Sequence, residues 1–199
     1  SLVWEKTHLD KRLAIKSLCG IGTSMRQQIT VWLVAATVLS IFLPNVVVVM
    51  ILVPVAVSML KFLGQENITN NPIATPILLA LVWGAGFGGF GSPLGGASNL
   101  VAISYLEKLT GQEFMYVDWI IRFLPLLFII LLFILLFLLR LPMPVEHLEG
   151  GKEYFRHVYA ELGPMKKGEK LGLWLFALAT VLALIRPLSV EYLLLMKPA

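Results

Sequence analysis

Thirty consecutive residues of this chain, 31–60, contain no charged side chain. A straight α-helix of that length would extend about 45 Å, whereas the hydrocarbon core of a bilayer is about 30 Å thick. The middle of the stretch holds Pro44, which has no backbone N–H, and Asn45, a poor residue for a helix interior. The sequence therefore predicts two helices that meet at a polar tip, a re-entrant hairpin over residues 31–63. The alternative is one tilted span that is kinked at Pro44.

A second apolar stretch, residues 73–106, is also too long for one span and is also interrupted. Seven of the chain's sixteen glycines lie within residues 84–96. A helix does not survive that glycine density, and unpaired backbone is tolerated at membrane depth only where protein or an aqueous cavity surrounds it. We therefore predict a broken transmembrane helix. The alternative is that the small residues allow close packing between intact helices.

Composition supports a membrane protein. Hydrophobic residues make up 58% of the 199 residues and charged residues 14%, with a mean hydropathy of +0.84. A soluble domain would carry nearer a quarter charged residues. Residues 119–139 and 171–188 are two further span-length stretches, and the second is predicted to end at Arg186 and Pro187.

Few residue types suited to metal or redox chemistry are present. A single cysteine, Cys19, excludes an intrachain disulfide, and the three histidines show no metal-ligand spacing: His8, His147 and His157. Neither of the two interrupted stretches contains Asp, Glu, His or Cys, so we expect no general base or nucleophile at membrane depth and no enzyme activity.

The distribution of Lys and Arg predicts the orientation in the membrane. If the first stretch is a hairpin, twelve of the sixteen basic residues share one side of the membrane, in residues 1–30, 61–72 and 140–170. Loops rich in Lys and Arg remain cytoplasmic. The predicted organisation is a cytoplasmic amphipathic arm (1–30), the hairpin (31–63), a broken helix with its following span (73–139), a cytoplasmic interfacial segment (140–170) and the start of a further scaffold span (171–199).

The two predicted helix breaks contain neutral oxygen atoms that are suited to bind ions. They come from the side chains of Ser40, Asn45, Ser92, Ser98 and Asn99 and from unwound carbonyls between residues 91 and 96. Such oxygens suit a desolvated alkali cation, while helix N-termini after each break present N–H groups to an anion. Paired broken helices mark the binding site in secondary transporters.

Four sequence segments carry a family resemblance: residues 5–16, 40–46, 88–99 and 161–170. In this order they resemble the divalent anion:sodium symporter family of the ion transporter superfamily. The resemblance implies an all-α polytopic membrane protein with a re-entrant helical hairpin and a broken transmembrane helix, one half of an inverted-repeat transporter. Since the chain opens on Ser1 without an initiator methionine, we expect a fragment: most of the first repeat and the start of the second.

The resemblance also implies the site. Family hairpin tips read Ser-Asn-Thr, four residues after an earlier Ser, and the loop reads Gly-Ser/Thr-Pro-Pro-Asn. Here the implied sodium ligands are Ser40, Asn45 and the carbonyls of Pro44 and Gly95. The implied substrate-binding positions are Asn45, Val46, Gly96, Ser98 and Asn99. Because Pro44 and Val46 replace the family's Ser and Thr, two hydroxyls that would bind a carboxylate are lost.

The function so predicted is sodium-coupled secondary transport of a small anion, a di- or tricarboxylate or sulfate. Na⁺ is the coupling ion, and the full-length protein is expected to be a homodimer in the cell (inner) membrane, with several passes, working by an elevator motion. Two alternatives are a related exporter or Na⁺/H⁺ exchanger of the superfamily and an inactive membrane scaffold.

Overall fold

The computed structural model describes residues 9–20, 22–69, 71–143 and 145–195. The α-helices in these residues are α1 (Leu9–Leu18), α2 (Met25–Phe42), α3 (Asn45–Phe62), α4 (Ala74–Gly88), α5 (Ala97–Thr110), α6 (Tyr116–Leu139), α7 (Gly151–Glu161) and α8 (Lys167–Leu195). Two short 3-10 turns, Gly89–Gly91 and Pro93–Gly95, join α4 to α5. The first eight residues of the predicted arm and the last four of the predicted final span lie outside the described residues.

Among the described residues, four segments are long and apolar enough to cross a bilayer: Met25–Phe42, Asn45–Phe62, Ala74–Gly91 and Tyr116–Leu139. The last of these, α6, is also the most exposed: Phe128 and Phe133 on it are 66% and 69% exposed. An apolar helix with that exposure is suited to face lipid. The predicted class, an all-α polytopic membrane protein, is confirmed.

The first apolar stretch is broken where the sequence predicted. Leu43 and Pro44 are both extended, with ψ angles of 147° and 134°, so α2 ends at Phe42 and α3 begins at Asn45. A proline pushes the preceding residue out of the helical region and donates no N–H itself. Helix α2 begins at Met25, ahead of the uncharged stretch, and α2 and α3 each have eighteen residues.

Helix α4 packs closely on α2, and two of its glycines make this possible. A Cβ added to Gly84 would lie 2.5 Å from the Leu33 carbonyl oxygen, and one added to Gly88 would lie 2.7 Å from that of Thr37. These two glycines therefore act as a small-residue packing face, as the alternative interpretation proposed. The glycines from 89 onward instead belong to the interruption between α4 and α5.

The last helix corrects one prediction. We expected the final span to end at Arg186 and Pro187, but α8 continues to Leu195. Pro125 likewise lies inside α6 without ending it. Proline is tolerated in membrane helices because neighbouring groups satisfy the carbonyl that it frees, so it is a weak stop signal in such a chain.

Helix α7 and the segment before it lie against the end of the bundle where α2 begins. The N–H of Met25 donates to the Glu146 carbonyl oxygen at 2.9 Å. On α7, Phe155 is fully buried and meets the ring of Trp32 edge to face, with centroids 5.8 Å apart. Much of the apolar surface of α7 is therefore covered by protein.

A buried ion pair fixes α1 to the corner between α7 and α8. Arg12 Nε donates to Glu169 Oε1 at 3.2 Å, and the two side chains are 4% and 7% exposed. The other guanidinium nitrogens donate to the carbonyl oxygens of Gly163 and Leu162, at 2.8 and 2.9 Å. The backbone N–H of Lys166, together with Arg12, lowers the pKa of Glu169 below its usual value.

Candidate functional site

The candidate site lies where the end of α2 meets the turns between α4 and α5. Ser40, in the last turn of α2, is fully buried, and its hydroxyl donates to the Ala85 carbonyl oxygen of α4 at 2.6 Å. This bond is made because Gly84 and Gly88 allow the two helices to approach closely. The first predicted sodium ligand is therefore positioned by the glycine face of α4.

Gly95 lies directly against the same part of α2. A Cβ added to Gly95 would lie 2.7 Å from the Ser40 carbonyl oxygen and would collide with the Gly89 carbonyl oxygen. Only glycine can occupy this position without pushing the turns away from α2. Two of the predicted sodium ligands, Ser40 and Gly95, are thus brought together.

Asn99 holds the turns in shape from the first turn of α5. It is 4% exposed, and its Nδ2 donates to the carbonyl oxygens of Gly89 at 2.7 Å and Ser92 at 2.9 Å. Both amide hydrogens are therefore occupied by the loop's own backbone. The sequence predicted Asn99 as a substrate-binding residue. It did not indicate that the Asn99 side chain stabilises the turns between α4 and α5.

The other predicted substrate positions are more open. Val46 is 64% exposed, Ser98 is exposed and Gly96 is partly buried. A Cβ added to Gly96 would lie 3.5 Å from the Ser98 hydroxyl, so these two positions are neighbours at the start of α5. A small anion could reach this surface and the N–H groups of the helix N-terminus beside it.

The remaining predicted ligands lie at the start of α3. Asn45 is partly exposed, and its Oδ1 accepts the N–H of Val46 at 2.9 Å. The Pro44 carbonyl oxygen accepts the N–H groups of Val47 and Val48, at 2.9 and 3.2 Å. Both oxygens therefore take part in the first turn of α3.

The sequence did not indicate the hydrogen bonds that join α2 and α6 to the glycine turns. The Ser92 hydroxyl donates to the Ile41 carbonyl oxygen, and Trp119 Nε1 of α6 donates to that of Phe90 at 2.8 Å. The sequence carried a signal only for the cap that Ser92 makes: serine before proline is a common start for a helical turn, and Leu94 N–H does donate to Ser92 Oγ at 3.1 Å. Nothing in the sequence indicated the Ile41 partner, 51 residues away.

Comparison with known proteins adds the family. The sequence profile of the citrate transporter family matches residues 1–197. A membrane protein of Cupriavidus necator is 31% identical over 180 residues, which are 85% of this chain and 34% of that protein. The sodium-dependent dicarboxylate transporter SdcS of Staphylococcus saprophyticus is 26% identical over 202 residues, covering 96% of this chain and 38% of the relative. Its Staphylococcus aureus counterpart is 27% identical over 194 residues, covering 94% and 37%.

The chain therefore spans about a third of the length of these relatives. The resemblance to the divalent anion:sodium symporter family is confirmed, and the matching family and the two staphylococcal relatives are named as transporters, not as enzymes. With its four apolar, span-length segments among the described residues, this multi-pass integral membrane protein belongs to the citrate transporter family.

Proposed function

We propose that the full-length protein couples the sodium gradient to the transport of a small di- or tricarboxylate across the cell membrane. The observation that carries this proposal is the junction of two interrupted helical segments, α2–α3 and α4–α5, in a chain of a transporter family. Interrupted helices paired in this way form the binding sites of secondary transporters.

In this proposal Na⁺ binds between the hairpin tip and the glycine turns. Ser40 and Gly95 supply ligands from the two sides, and Asn45 with the Pro44 carbonyl completes the site from the start of α3. The close approach of Gly95 to Ser40 supports it, since oxygens from both sides of the junction can reach one ion. All these oxygens are neutral and hard, as an alkali cation requires.

The anion binds beside the ion, at Asn45, Val46, Gly96, Ser98 and Asn99. Helices α3 and α5 begin at Asn45 and Ala97, next to these positions, and the positive end of a helix favours an anion, which supports an anionic substrate. For Asn99 we propose an indirect contribution, because its two amide hydrogens already bond to the loop. The staphylococcal relatives are named as dicarboxylate transporters, which supports the substrate class.

At the level of the whole protein we propose a homodimer in which the hairpin and the broken helix move together against a scaffold, in an elevator motion. The hairpin is re-entrant, and residues 1–30 and 140–170 lie on the cytoplasmic side. The attachment of α4 to α2 through Gly84, Gly88 and Ser40 supports a rigid moving unit. Helix α8 belongs to the scaffold in this proposal.

Uptake into proteoliposomes tests the function. The full-length protein is reconstituted, and the entry of labelled citrate and succinate is followed with sodium outside and again with choline in its place. We expect uptake of at least one of the two only with sodium. Equal uptake in choline would contradict the coupling to sodium. If neither citrate nor succinate enters, the proposed substrate class is contradicted.

A further inference from the structure

Ser92 makes four hydrogen bonds that together join the two sides of the junction. It is 1% exposed. Its hydroxyl donates to the Ile41 carbonyl oxygen of α2 and accepts the N–H of Leu94 at 3.1 Å. Its own carbonyl oxygen accepts the N–H of Gly95 at 3.2 Å and Nδ2 of Asn99 at 2.9 Å. One small side chain and its backbone therefore connect α2, the second 3-10 turn and α5.

The contact with Ile41 occurs where the helix leaves a carbonyl group free. The last carbonyls of a helix have no partner within it, and α2 ends at Phe42, just before the extended Leu43 and Pro44. A buried carbonyl without a partner is costly, so the Ser92 hydroxyl stabilises this end of α2 in place of a further helical turn.

The two partners of the Ser92 hydroxyl are sequence neighbours of the two residues that meet at the junction. Ile41 follows Ser40, and Leu94 precedes Gly95. The hydroxyl therefore sets the separation between the Ser40 side and the Gly95 side without contacting either residue's own oxygen ligand. A change in this separation of a few tenths of an ångström would alter the coordination of an ion held by both.

We propose that Ser92 is a positioning residue of the sodium site: its hydroxyl holds the end of α2 and the glycine turns at the distance at which one Na⁺ contacts both. Ser92 does not bind the ion itself. This inference rests on the proposed function, and it adds a residue that the family resemblance did not include among the site positions.

The test compares three variants of the full-length protein in proteoliposomes. Ser92→Ala removes the hydroxyl and Ser92→Thr keeps it. Thr110→Ala is the matched control, because it removes an exposed hydroxyl, bonded to the Leu106 carbonyl oxygen at 2.8 Å, from the far end of α5. The sodium concentration for half-maximal uptake should rise about tenfold in Ser92→Ala, the equivalent of one buried hydrogen bond, with little change in maximal rate.

We expect Ser92→Thr to remain within about twofold of the unmodified protein, the range of many near-neutral substitutions, and Thr110→Ala to be unchanged. A sodium dependence of Ser92→Ala equal to that of the control would overturn the proposal. So would a Ser92→Thr variant shifted as far as Ser92→Ala. If Ser92→Ala does not fold, Ser92→Cys, whose thiol is a weak donor, should show an intermediate shift, and an unchanged sodium dependence there would count equally against the proposal.

A second readout separates this inference from the proposed function. Hydrogen–deuterium exchange of the amides of Leu43, Leu94 and Gly95 is measured in the same variants without any transport. Faster exchange on both sides of the junction in Ser92→Ala alone supports the positioning role, even if the protein takes up no anion with sodium. Unchanged exchange overturns it, whatever the transport assays give.

Discussion

At the scale of single residues, Asn99 gives the sharpest test of the site's architecture. Its two amide hydrogens bond to the carbonyl oxygens of Gly89 and Ser92 in a buried position. Asn99→Asp keeps the shape but removes both donors and brings a carboxylate against two carbonyl oxygens. We expect the free energy of unfolding to fall by about 3 kcal/mol or more, measured as a lower melting temperature in detergent.

The control for that substitution is Asn67→Asp. Asn67 lies in an exposed turn, where its Oδ1 accepts the N–H of Thr69 at 3.1 Å, and a carboxylate can accept the same bond. Its melting temperature should stay unchanged. Equal losses in Asn67→Asp and Asn99→Asp would contradict the structural task assigned to Asn99.

Substitutions of two glycines of α4, one packed against α2 and one not, test the close packing of the two helices. A Cβ on Gly88 would lie 2.7 and 2.8 Å from the backbone of Thr37, whereas one on Gly86 meets nothing within 4 Å. Gly88→Ala should therefore destabilise the protein by about 1–3 kcal/mol, as overpacking does. Gly86→Ala should stabilise it by about 0.5–1 kcal/mol, because alanine is the better helix former. Thermal melts of both variants check the difference, and a Gly88→Ala variant as stable as Gly86→Ala would contradict the close packing.

At the scale of elements, the start of α3 is where this chain departs from the family pattern. Pro44 still ends one helix and caps the next, yet it lacks the hydroxyl of the family's serine, and the exposed Val46 lacks that of the threonine. Pro44→Ser with Val46→Thr should lower the KM for succinate about tenfold for each hydroxyl that bonds the carboxylate. Uptake kinetics measure this.

Val53→Thr is the control for the hairpin substitutions, since Val53 lies partly buried two turns further along α3. It should leave the KM unchanged. If the double substitution at the tip alters only the maximal rate, or if Val53→Thr lowers the KM as much, the tip does not contact the substrate.

The ion pair between α1 and the start of α8 predicts that the stability of the folded protein depends on pH. The lowered pKa of Glu169, due first to the Lys166 N–H and then to Arg12, means that the unfolded chain takes up this proton at a higher pH than the folded protein. The stabilisation is therefore complete above the ordinary glutamate pKa of about 4.3 and is lost as the pH falls below it. The melting-temperature difference between the protein and Glu169→Gln should be constant above about pH 5 and shrink below about pH 4.

Glu161→Gln serves as the reference for that titration. Glu161 is 64% exposed and contacts only the exposed His157 among the ion pairs of the described residues, at 3.5 Å. Its removal should leave the melting temperature nearly unchanged across the whole range. A Glu169→Gln difference that persists undiminished to pH 3 would contradict the assigned linkage.

At the scale of the whole molecule, the two interruptions were predictable because their causes are local. Pro44 lacks an N–H, and the glycine density from residue 84 to 96 lies within a few turns of chain. The contacts that organise the site were not predictable, since Ser92 meets Ile41 across 51 residues and Arg12 meets Glu169 across 157. Pro187 misled the prediction for α8, because a local stop signal is weaker than the packing and lipid that support a membrane helix.

In the proposed site the start of α3 and the glycine turns bind Na⁺ together. Equilibrium binding of radioactive sodium to the purified full-length protein, with no anion present, tests it most directly. The protein should bind sodium saturably, and Asn45→Ala, which removes a proposed ligand from a partly exposed position, should remove this binding while the protein stays folded. Sodium binding that is unchanged in Asn45→Ala would contradict the site.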